Sequence, residues 1–80
     1  MSLQQKIDIR NLDWPLNILK CKQQLNTLER GDRIEILAKD RDVVKSLVAL
    51  IRQSPGFHVK TEAGGKTIRL TIARGPKHSG

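Results

Sequence analysis

Few residues in this chain can do covalent or acid–base chemistry. Its eighty residues include one cysteine, Cys21, and two histidines, His58 and His78. The position most favoured for a nucleophile lies in Asn11-Leu12-Asp13-Trp14-Pro15-Leu16-Asn17, where a short strand runs into an amphipathic helix. Proline suits the first position of a helix. Trp14 is therefore the predicted cap, where free backbone N–H groups and the positive end of the helix dipole gather. A cysteine there would have its thiolate stabilised. This chain has an indole, so the position carries no nucleophile.

The remaining candidates are weaker. Cys21 lies about two turns further along the predicted helix and shares a stripe with Ile18, Leu25 and Leu28. A cysteine among aliphatic side chains is inert, so Cys21 reads as core filler rather than a nucleophile. Lys20 and Lys22 would lower its pKa only if the thiol faced outward. His58 and His78 are isolated, and one cysteine does not make a zinc centre, so neither a metal site nor a cofactor is expected. Neither histidine shows the spacing of a hydrolytic triad. Asp40 and Asp42 suit a helix start better than an acid–base pair. Ala63-Gly64-Gly65-Lys66 lacks the spacing and following helix of a phosphate loop and reads as a hairpin turn. Trp14 itself either packs over the helix start against Ile18 or stands exposed as a binding anchor, and the sequence leans to packing.

The elements that must position these residues follow from the periods. Lys6 to Arg10 alternates as a strand, and Ile18, Cys21, Leu25 and Leu28, with Leu19 beside them, give a helix over 15–29 that Gly31 would cap. Ile34, Ile36 and Ala38 alternate in a second strand. A second helix over 41–53 carries Val43, Val44, Leu47, Val48, Leu50 and Ile51, with Asp40 or Asp42 as its cap and Ser54-Pro55-Gly56 as its end. Residues 57–61 and 67–72 make two strands joined through the Gly-Gly turn. The expected fold is α+β: a two-layer sandwich of order βαβαββ, with a four-stranded mixed sheet and both helices on one face. The chain is one domain over 1–80, with 1–5 and 75–80 as flexible tails. Asp8, Arg10, Arg33, Glu35, His58, Lys60 and Arg69 are expected on the open sheet face.

Composition bounds the partners. The chain is 38% hydrophobic and 29% charged, ordinary for a globular domain. No apolar run approaches a membrane span, so no membrane partner is expected. With one cysteine and no signal-like segment, a reduced cytoplasmic protein is the economical reading. Fifteen basic against eight acidic residues give a formal charge of +7, which attracts acidic partners. The basic residues are dispersed and no aromatic platform accompanies them, so nucleic-acid binding would be weak and salt-sensitive.

The segment Ile7-Asp8-Ile9-Arg10-Asn11-Leu12-Asp13-Trp14-Pro15-Leu16-Asn17 resembles the opening of the TusA/SirA-like sulfur-carrier proteins, Leu-Asp-x-Arg-Gly-x-x-Cys-Pro-x-Pro, or Cys-Pro-Leu-Asn in some members. Leu28-Glu29-Arg30-Gly31-Asp32, Ile36-Leu37-Ala38-Lys39-Asp40 and Gly56-Phe57-His58-Val59 match later segments in order. The resemblance runs from about Ile7 to Arg74 and implies the same two-layer fold. It also implies a sulfurtransferase setting, in which a motif cysteine takes a persulfide from a cysteine desulfurase and passes it to a sulfur-relay acceptor. Two positions depart from the pattern. Asn11 stands for the usual glycine and Trp14 for the cysteine. The expectation is a non-catalytic, protein-binding member with no catalytic residue, whose partner surface is Trp14, Pro15, Asn17 and Lys20. The alternatives are a carrier using Cys21 and a basic nucleic-acid-binding module on the same fold.

Overall fold

Alternation in one central strand sets the core. In β2 (Arg33–Ala38), Ile34, Ile36 and Ala38 are buried while Arg33, Glu35 and Leu37 take the opposite face. In the computed structural model, which describes residues 4–75, β1 (Gln4–Asp8) lies parallel on one side of β2. On the other side lies β4 (Thr67–Arg74), antiparallel, and β3 (Phe57–Gly64) pairs antiparallel with β4 at the far edge. The sheet order is β1-β2-β4-β3. Helices α1 (Leu16–Thr27) and α2 (Arg41–Arg52) make the two crossovers, giving the expected βαβαββ order. Ile34 faces Ile72 and Ile36 faces Leu70 across the sheet, and all four join Cys21, Leu25, Leu28, Leu47 and Ile51 in one core.

Several boundaries move, for identifiable reasons. The first strand starts earlier than its apolar alternation predicts, so Gln4 and Gln5 belong to β1 rather than to a tail. Ile9 lies just past it, buried, with its N–H donating to the Leu37 carbonyl at 2.9 Å. At the other end, the Gly75 N–H donates to the Gly56 carbonyl at 2.7 Å. The rest of both expected tails, His78 included, lies outside the described residues. Helix α1 stops before the expected glycine cap. Leu28 takes an extended conformation, and there the core encloses it almost completely. Gly31 serves a turn instead. Its φ of +89° suits glycine, and its N–H donates to the Arg74 carbonyl at 2.9 Å. The β3–β4 loop is only Gly65-Lys66, with positive φ at Gly65, the first central position, where a II′ hairpin calls for glycine.

Helix α2 follows its pattern closely. Asp40 caps it, accepting the Asp42 N–H at 2.9 Å, and Arg52 lies in its last turn. Among the described residues, no helix is long and apolar enough to cross a membrane.

Candidate functional site

Parallel β1 and β2 both end at the same side of the sheet, and α1 and α2 both begin there. Between the two connections lies an open cleft of about 280 Å³, lined by Arg10, Asp13, Trp14 and Asn17 from the first and Lys39 and Asp40 from the second, among others. The start of α1 differs from the expectation by one residue. Pro15, at φ −94° and ψ 6°, occupies the cap position, and Trp14 sits just outside it, joined by a cis peptide bond. Pro15 is the cap because its carbonyl already accepts the Leu19 N–H at 3.0 Å while its ring offers no side-chain hydrogen bond.

Trp14 does not pack over the helix. It is 71% exposed, and beside it Leu16 is 58% and Leu19 48% exposed. Among the described residues these are the large apolar side chains left in solvent. Leu19 therefore faces away from the stripe with which the sequence grouped it. Pro15 and Lys20 share the exposed side. Asn17, the fourth expected contact, is 4% exposed. Its Oδ1 accepts the Ile18 N–H at 2.7 Å, its own N–H donates to the Asp13 carbonyl at 3.1 Å, and its side chain lines the cleft from within. Helical spacing contained this signal. Leu16 and Leu19 are three apart on the side opposite Asn17, Cys21 and Leu25, so a helix that buries Cys21 must expose them.

Cys21 is fully buried, and burial pushes its thiol up to about 11 despite the nearby Lys20. Such a thiol stays protonated at neutral pH. No group of residues among those described could hold a metal ion.

Three cations of the open sheet face, Lys6, Arg10 and Arg69, are already engaged. Arg10 donates through Nε and Nη2 to Asp8 at 2.9 and 2.7 Å and reaches Thr67 Oγ1 at 3.3 Å. That guanidinium lowers the Asp8 carboxyl to about 2. Lys6 and Arg69 flank Glu35 at 3.8 and 3.3 Å. Phe57 is turned to the core side with the Arg74 guanidinium 5.5 Å from its ring, so it offers no stacking surface on this face.

A small α+β sandwich with an exposed proline-linked helix start defines the class. The model of the family described as Sulfurtransferase TusA matches residues 5–74, and the chain belongs to that family. It is 30% identical over 73 residues to the putative sulfur carrier protein YrkF of Bacillus subtilis, covering 91% of this chain and 40% of that protein. It is 33% identical over 63 residues to the sulfur carrier protein TusA of Allochromatium vinosum, covering 78% of this chain and 83% of that one. The chain thus spans well under half the length of the Bacillus relative and most of the length of the other. No solved structure matches it.

Proposed function

We propose that this chain is a sulfur-relay protein that docks a partner through the helix-start surface without itself carrying sulfur. The observation that carries this reading is the exposed indole of Trp14 before Pro15, where the resemblance puts the persulfide cysteine. An indole has no atom to hold a sulfane sulfur. Cys21, the one alternative nucleophile, has a buried thiol raised to about 11, which argues against its replacing the motif cysteine. The partner is a protein of the relay, a cysteine desulfurase or a sulfur acceptor. Trp14, Pro15, Leu16 and Leu19 supply the apolar contact and Lys20 a cationic rim, suited to an acidic surface. The chemistry implies a reduced, cytoplasmic setting.

Incubation with a cysteine desulfurase and cysteine, followed by intact-mass measurement, tests the reading. The native chain gains no sulfur. Trp14→Cys gains one, because a thiolate there lies beside the positive end of the α1 dipole. Trp14→Ala folds normally and binds the relay partner at least about tenfold more weakly, as expected for loss of an aromatic anchor. Sulfur found on Cys21 of the native chain would overturn the proposal in favour of a relocated carrier.

A further inference from the structure

The sheet has a second exposed feature at the edge opposite β1. Strand β3 is an edge strand of eight residues, paired with β4 in unbroken register from Phe57 opposite Arg74 to Gly64 opposite Thr67. It carries neither a proline nor a bulge, two of the devices that blunt an exposed edge, and its charged residues, Lys60 and Glu62, are of opposite sign. Its second half, Thr61 to Gly64, is exposed on both faces. Thr61 and Ala63 lie opposite Leu70 and Ile68 on the helix side of the sheet, yet neither is covered. Beside them runs an open groove of about 520 Å³ whose lining includes Val44, Val48, Ala49 and Thr61.

We propose that this edge pairs antiparallel with the β3 edge of a second copy of the chain, about a two-fold axis at Thr61. The charges select that occupant. Lys60 and Glu62 lie two apart on the open face, and no ion pair among the described residues uses either. In an antiparallel pair centred on Thr61, Lys60 of each copy stands opposite Glu62 of the other, so the contact is made twice. Registers centred on Lys60 or Glu62 set like charges face to face. Registers centred between residues put the two helix layers on opposite faces of the joined sheet. Registers centred on Val59 or Ala63 keep the layers together but do not pair Lys60 with Glu62, so one register both pairs the opposite charges and keeps the helix layers on one face. On the helix side it brings Val59 opposite Ala63 and Thr61 opposite itself, joining the two grooves, in each of which Lys45, Arg52 and Gln53 accompany Val44, Val48 and Ala49, into one seam. Because β1 and β3 are opposite edges, both Trp14 surfaces stay free and the dimer presents two of them.

The experiment measures the mass of the full chain by sedimentation equilibrium over a range of concentrations. A monomer–dimer equilibrium that weakens with salt is expected. Lys60→Glu and Glu62→Lys each turn two attractive pairs into two repulsive ones and should weaken dimerisation at least about tenfold. The double variant, Lys60→Glu with Glu62→Lys, restores the pairs in reverse and should recover the dimer. Under mild oxidation Thr61→Cys should cross-link to itself, because residues facing each other on an axis lie within disulfide reach, whereas Ala63→Cys should not. The buried Cys21 cannot compete for this link. A monomer at every concentration overturns the proposal. So does a dimer that ignores the charge reversals, or one that links through position 63 instead of 61.

Discussion

Helices α1 and α2 have the same length and cover the same sheet face, yet they are built on opposite plans. Helix α2 separates its residues by side: Val43, Val44, Leu47 and Ile51 inward, Arg41, Lys45 and Arg52 outward. It is capped by Asp40 and closed by a basic last turn. Helix α1 crosses that rule in its first half. Asn17 and Cys21 point inward, Leu16 and Leu19 outward, and its cap residue, Pro15, offers no side-chain hydrogen bond. One helix is organised for burial. The other gives up amphipathic order in its first turn, where it presents a surface, and its buried apolar contacts come from Cys21 and Leu25 and from Leu28 just beyond its end.

The largest expected effect tests that contrast directly. Leu47→Ala empties a fully buried position in α2 and should cost roughly 2–5 kcal/mol in urea unfolding, while Leu19→Ala in α1 should stay within about 0.5 kcal/mol. Equal losses at the two sites would break the comparison.

The inward polar side of α1 gives a smaller effect. Cys21→Ser puts a hydroxyl in a closed apolar site and should cost about 1–3 kcal/mol. The native thiol should alkylate very slowly at neutral pH. Its folded pKa is raised from 9.0 to about 11, so its stabilising contribution is complete below pH 9 and is lost as pH rises through about 11. Alkylation rates followed across that range should climb over the same interval. Fast labelling of the folded chain near neutrality would show that α1 exposes its inner side as well.

Capping sharpens the contrast further. Asp40→Ala should remove about 1 kcal/mol from α2 by thermal or urea denaturation, a loss with no counterpart at the α1 cap position, where Pro15 offers no side-chain hydrogen bond. The smallest effect belongs to the clamp that precedes the cleft. Arg10 depresses Asp8 from 3.8 to about 2, so the contribution of this pair is present above about pH 4 and is lost as pH falls through about 2. Both groups are exposed, so Asp8→Asn should produce only a slight flattening of the acid-stability curve in that window, measurable by denaturant titrations at successive pH values.

Much of this molecule was legible in the residue order. Alternation at Ile34, Ile36 and Ala38, the stripe of α2 and the Gly64-Gly65 turn are local patterns, and periods of two and 3.6 identify buried faces without knowledge of the partner. They were enough for the βαβαββ order and the burial of Cys21. The sequence also set the chemistry of the helix start, because an indole stands before Pro15 whatever the fold. Tertiary structure decided which side chains at the two ends of the α1 stripe are covered. The stripe of Cys21 and Leu25 sets the inward side, but the first turn, Leu16-Asn17-Ile18-Leu19, has apolar residues on two sides, and the packed core takes Asn17 inward while Leu16 and Leu19 stay exposed. The same packing pulled Leu28 out of the helix and left Trp14 in solvent. Local spacing states which residues share a face; the finished core, by excluding water, decides which side chains at the ends of that face are covered.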